Sequence, residues 1–397
     1  MSNKSFYLLA FIMFLSMTGY GVVLPALPFL AERIGLNSLQ MGSLITGWAL
    51  SQFIVLPFWG RLIDRIGRKP VLIFGLFGFG VAFLLMILAN NYSQLLLIRV
   101  IGAIVSSGTQ PAALALVIDG HDKEKRAPAV AKITAANALG FLFGPVVGGI
   151  FAPLGIHVPF IVAGLLSIVT IPFVFIFVKE SANKNSKASI PSFGTSLATI
   201  VKPGYRGLLF ITFGLAVSVS SLFGILGYFM IEKFQSSATQ TGFAFSFQSF
   251  AAVVIQMSIM SWIYQKYREE NIAKSGVFIE ATGYACIVFS FNIWGVYLGC
   301  ALVGAGQSLV KPTILTMLSK QNTLGPGTVI GFQQAVDSFG RSVGPLLAGW
   351  IFSIHPTGPF VSSLSICLCL FIFLLVTVRH GQSWKLGEKE SKNEYSA

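Results

Sequence analysis

The chain has 397 residues, of which 54% are hydrophobic and only 10% charged, and its mean hydropathy is +0.77. Soluble domains carry about a quarter charged residues, so a water-facing globule is excluded and a membrane protein is expected. The net charge of +13 would suit nucleic acid only if basic residues clustered on a soluble surface; here they fall between apolar runs, so no nucleic-acid partner is expected.

A membrane-crossing helix needs roughly 20 mainly apolar residues, and twelve such runs follow one another. The first six are 6–30, 38–60, 71–89, 94–118, 128–152 and 157–178. Span one is too long for a signal-peptide core and lacks a small-residue cleavage site, so no cleavable signal is expected. It carries no charge between Tyr7 and Leu30 and contains Leu24-Pro25-Ala26-Leu27-Pro28. Spans two and three are joined through Gly60-Arg61-Leu62-Ile63-Asp64-Arg65-Ile66-Gly67-Arg68-Lys69-Pro70. Its glycines and proline predict a tight turn, and Asp64 can pair with a basic neighbour or cap a helix N-terminus.

Span four carries Leu95-x-x-x-Arg99-x-x-Gly102 and ends at Asp119, a partner for the arginines of that loop. Arg99 lies a turn and a half into the span, within snorkelling reach of the outer surface. Span five contains Gly140-x-x-x-Gly144-Pro145-x-x-Gly148-Gly149. Glycines four apart admit another helix closely, and Pro145 removes a backbone hydrogen bond and bends the span. This face is expected to be a hinge or sliding surface, or else static close packing. From Lys179 to Arg206 the chain turns polar, with five basic residues against one Glu, the composition of a linker.

The second six runs are 207–231, 241–264, 274–293, 296–318, 327–353 and 358–378. The expected domains are a bundle over 1–178, a linker over 179–206, a second bundle over 207–380 and a tail over 381–397. Ionisable groups inside spans are costly and are functional candidates by default. Span nine holds Glu280, span ten Gln307 and Lys311, and span eleven Asp337 and Arg341. The last two are four apart, share a face and can pair, either for transport or as a structural ion pair. Lys311 either snorkels or lines a pocket, and Gln52, Gln110, Gln307 and Lys311 are candidate linings for a small amphipathic compound.

The second half repeats the first. Gly140 to Gly149 aligns with Gly340-Arg-Ser-Val-Gly344-Pro345-Leu-Leu-Ala348-Gly349, and Gln110-Pro111 aligns with Lys311-Pro312. Two copies of six crossings keep the same orientation and form parallel repeats about an axis along the membrane normal. With a cytoplasmic N-terminus, only Arg33 and Lys233 of the 27 Lys and Arg fall in outer loops, and Arg99, Lys311 and Arg341 fall inside spans, as do Lys132 and Lys274 toward the cytoplasmic ends of theirs. That bias puts both termini in the cytoplasm and draws the basic loops to anionic lipid headgroups. The four cysteines sit in apolar runs without histidines, so neither a disulfide framework nor a metal site is expected. No phosphate-binding G-x-x-x-x-G-K-[ST] loop exists, and no catalytic constellation or cofactor motif is present. An enzyme is not expected.

The loop from Gly60 to Pro70 resembles the signature between helices two and three of the major facilitator superfamily. Leu24 to Pro28, Leu95-x-x-x-Arg99-x-x-Gly102 and the Gly140 to Gly149 pattern resemble motifs of its twelve-helix drug–proton antiporter branch. The resemblance implies two pseudo-symmetric six-helix bundles, proton-coupled export by alternating access, and a role for Arg99 in proton transfer. It also implies that Glu280 sits on a peripheral helix. Several bacterial multidrug members carry a membrane carboxylate on helix one, seven or ten, which this chain lacks; that argues against lipophilic cations as main substrates and leaves Asp337 as the deep carboxylate for protonation. Arg99, Asp337 and Arg341 are therefore the expected coupling residues. The alternative is proton-coupled uptake of a nutrient or metabolite. Both halves lie in one chain, so a functional monomer is expected.

Overall fold

The computed structural model describes residues 3–121, 123–180, 203–320 and 326–379. Most of the expected linker and nearly all of the expected tail fall outside them. All regular structure among the described residues is helical. The first repeat supplies α1 (Asn3–Arg33), α2 (Ser38–Ile66), α3 (Arg68–Met86), α4 (Tyr92–Ser106), α5 (Thr109–Asp119), α6 (Lys123–Phe151) and α7 (Val158–Phe177). The second supplies α8 (Pro203–Phe234), α9 (Ala238–Val254), α10 (Met260–Lys266), α11 (Glu269–Val288), α12 (Ile293–Ser319), α13 (Pro326–Phe352) and α14 (Gly358–Arg379).

Every predicted span falls on helix, with differences that have local causes. Span four is two helices, α4 and α5, broken at Ser107 and Gly108; Gly108 is pressed against Trp59 and Val71, where a Cβ would come within 2.7 Å of both. Span eight is α9 and α10 joined by a π-helical turn over Ile255–Ile259, an insertion that shifts the register of everything after it. Hydropathy reports the apolar length alone, whereas helices continue into polar ends. So α2 runs on to Ile66, and α8 starts at Pro203, inside the expected linker. Span nine is displaced toward the N-terminus: α11 ends at Val288, and Asn292 opens α12 by accepting from the Gly295 amide at 3.0 Å.

Among the described residues, ten helical stretches are long and apolar enough to cross a membrane. α11 and α13 are not among them, because they carry Glu280 with the acids of the first turn, and Asp337 with Arg341. Helix starts are written in the sequence as caps. Asn37 and Gln40 form a reciprocal capping box at α2, and Asn91 accepts from the Gln94 amide at α4, so amides that lack an intrahelical partner are satisfied. Buried hydroxyls such as Ser167, Thr170 and Ser218 donate to carbonyls three or four residues back, which makes them tolerable in an apolar interior.

The described chain divides into two compact units, Met1–Lys187 with Phe223–Ser246, and Ala188–Leu222 with Phe247–Ala397. In the first, α6 packs backbone to backbone on α1. A Cβ on Gly140 would strike the Phe14 carbonyl, on Gly144 the Gly21 Cα, and on Gly148 the Val22 carbonyl. In the second, α13 packs on α8 in the same manner. A Cβ on Gly340 would approach the Phe213 carbonyl at 2.9 Å, and Ser221 Oγ donates to the Gly344 carbonyl at 3.1 Å. The glycine stripe thus has the same employment in both copies of the repeat. Gly149 points elsewhere: its carbonyl accepts from Thr239 Oγ1 at 2.9 Å, from the part of α9 that belongs to the first unit.

Candidate functional site

The second unit brings three of the expected residues to one point. Asp337 on α13 is buried at 6% exposure. Its Oδ2 accepts from Arg341 Nε at 2.8 Å, one turn along the same helix, and its Oδ1 lies 3.1 Å from Lys311 Nζ on α12. Both cationic side chains are roughly half exposed while the carboxylate is not. Two cations on one carboxylate leave a local excess of one positive charge. Each attraction is on the order of 4 kcal/mol at an effective dielectric of about 20.

Around this trio lies a small cavity of about 20 Å³, room for roughly one water molecule. Gln307 and Gln333, each one turn before the charged residue of its helix, line it with Thr212 of α8 and the apolar Leu215, Ala216, Val219 and Ile314. Neither Gln333 nor Thr212 was expected from the sequence. The spacing of Gln333 to Asp337 repeats that of Gln307 to Lys311, and this was the available signal. Thr212 has none, because a threonine bonded to its own helix at the Leu208 carbonyl reads as filler. Gln52 on α2 and Gln110 on α5 belong to the first unit and take no part in this cavity.

Arg99, also in the first unit, does not snorkel. It is 1% exposed and its guanidinium lies over the Trp48 ring at 4.9 Å, a favourable placement for a cation against an aromatic face. Leu95, Arg99 and Gly102 form one buried stripe of α4, where a Cβ on Gly102 would meet Ala82 and Trp48. The Arg99 Nε has no hydrogen-bond partner among the described residues.

The loop signature gathers a second cluster in the same unit. The chain turns through Gly67 alone, at φ +105°. Gly60 lies within α2, and Pro70 lies in the first turn of α3, so the expected multi-residue turn is one residue long. Arg68 is buried and forms an ion pair with Asp119, its Nε lying 2.9 Å from Oδ2. Glu180, which the sequence reading left in the linker, accepts from the backbone amides of Arg68 and Lys69 at 2.9 and 3.0 Å. It therefore caps α3 at its positive end, and Lys69 Nζ donates to the Phe175 carbonyl at 2.7 Å. Arg61 lies over the Phe58 ring and Arg65 is exposed. The Asp64 side chain lies outside the description.

No group of three or more metal-ligating side chains occurs among the described residues. Comparison with known proteins places these features in a family context. The family model of the Major Facilitator Superfamily matches residues 9–321 and 208–396. The chain is 25% identical over 379 residues to the quinolone resistance protein NorA of Staphylococcus aureus (strain MSSA476), covering 95% of this chain and 97% of that protein. It is 27% identical over 358 residues to multidrug resistance protein 2 of Bacillus subtilis (strain 168), covering 88% of each. The solved structure of the nucleoside transporter NupG superposes with a TM-score of 0.76 at 12% identity, covering 96% of this chain and all (100%) of that one. At that identity the likeness concerns the fold.

Proposed function

The chain belongs to the major facilitator superfamily, and from this membership we propose that it is a secondary exporter that moves amphipathic drug-like compounds out of the cell in exchange for protons. It is a multi-pass membrane transporter and not an enzyme. The observation that carries the coupling is Asp337 clasped between Lys311 and Arg341. When Asp337 takes a proton, its two partners lose their counter-charge and repel each other, so α12 and α13 gain a reason to rearrange. A single protonation thereby biases one conformation over another, which is what an alternating-access cycle requires.

The export direction is supported by the Gly140 to Gly149 pattern and by the names of the two bacterial relatives. Lys311 and Arg341 outnumber Asp337, so the local charge disfavours cations relative to neutral or anionic amphipaths. The topology that goes with this reading has twelve crossings, both termini cytoplasmic, bundles over 1–178 and 207–380, and a working monomer.

Purified chain in liposomes, given an imposed pH gradient and a panel of neutral, anionic and cationic amphipaths, tests the proposal. Movement of several compounds against the proton flow, with cations least favoured, is expected. Co-movement of one solute with the protons would replace the reading with uptake.

A further inference from the structure

Away from the sites above, the second unit buries a carboxyl that no other group answers among the described residues. Glu280 on α11 is wholly buried, and neither carboxyl oxygen has a hydrogen-bond partner among the described residues. One turn on, Tyr284 is equally buried, and its hydroxyl is also without a partner. The thiols of Cys300 on α12 and Cys367 on α14 stand near that hydroxyl, and both are fully buried.

No cation faces this group among the described residues. On the elements packed against α11, Lys311 is engaged with Asp337, Lys320 with Glu269, and Lys266 lies over the Trp262 ring. Lys274, on α11 itself, lines an outer groove with Phe278 and Phe371. Cys367 stands near both Glu280 and Tyr284, and Cys300 near Tyr284. An isolated carboxylate in such surroundings would cost so much that the group stays neutral instead.

The neighbouring backbone keeps the pocket shut. A Cβ on Gly306 of α12 would come within 2.7 Å of the Glu280 amide, and one on Gly283 within 2.7 Å of the Gly299 carbonyl. Gly276 similarly abuts the Gly306 carbonyl at 3.0 Å. Glycines thus bring α11 and α12 into backbone contact above and below Glu280.

We propose that Glu280, with Tyr284 beside it, is a second proton-binding site of the second unit, distinct from Asp337, and that it keeps its proton while α11 and α12 are in contact. Parting of the two helices would let the proton pass to water, and the resulting carboxylate would oppose their return. The proposal does not rest on the direction of transport or on the substrate.

Infrared spectra of the purified full-length chain at neutral pH, for the wild type, E280Q, E280M and D337N, test it. The C=O stretch of a protonated carboxyl is expected in the wild type and in D337N and is expected to be lost in E280Q. E280M supplies the same reading should the Gln variant fail to accumulate. A wild-type spectrum without that band, or a band unchanged by either Glu280 substitution, overturns the proposal. Either result leaves the liposome assay of Asp337 standing on its own.

Discussion

At Gly67 the backbone takes φ +105°, and an added Cβ would stand 2.8 Å from Glu180 Oε2. Such a conformation is nearly confined to glycine and costs other residues about 1–3 kcal/mol. Gly67→Ala is therefore expected to lower stability by about that amount in thermal unfolding, and to release Glu180 from the α3 amides. Next to it, Arg68 is buried with Asp119, and removing one partner of a buried pair costs about 3–5 kcal/mol. Arg68→Ala should lower the unfolding temperature more than Arg65→Ala, since Arg65 is exposed. The sequence offered Asp119 as a partner for the arginines of the loop, and only packing selected Arg68 among them. The capping by Glu180 was not legible there, since its partners are backbone amides that leave no mark on the residue pattern.

At the scale of helices, the stripe Gly140, Gly144 and Gly148 sets the α1–α6 distance, and Gly340 with Gly344 sets that of α8 and α13. Gly144→Val is expected to destabilise the first unit by at least about 1–3 kcal/mol, the usual cost of overpacking, and Gly344→Val the second unit similarly. Equal losses in thermal unfolding would fit the repeat, whereas a neutral Gly144→Val would remove the close-contact account. The junction of α1 and α7 carries a pH response. His157 Nε2 lies 2.9 Å from Arg33 Nη1, and burial first, then the Arg33 charge, holds the imidazole below its ordinary value of 6.5. The folded chain thus binds fewer protons than the unfolded chain near that pH, so stability falls as pH drops through and below 6.5. Unfolding temperatures measured between neutral and mildly acidic pH should show a decline that His157→Gln reduces.

For the whole molecule, the decisive variant is Asp337→Asn. It removes the charge that Lys311 and Arg341 share and cannot be protonated, so gradient-driven transport in liposomes is expected to fall at least tenfold while substrate binding persists. Full proton-coupled transport by this variant would take Asp337 out of the coupling role. Composition and period determined that this is an all-helical membrane protein, where its helices lie and that its halves repeat, because the bilayer imposes one length and one hydropathy on every crossing. The intramembrane charges were visible for the same reason: they interrupt apolar runs. Which of them meet was decided by tertiary packing alone. Lys311 and Asp337 are 26 residues apart and on different helices, and Arg99 sits against Trp48 instead of reaching for the surface. Glu280 was expected on a peripheral helix, yet it is wholly buried, because burial depends on neighbours that no local pattern encodes.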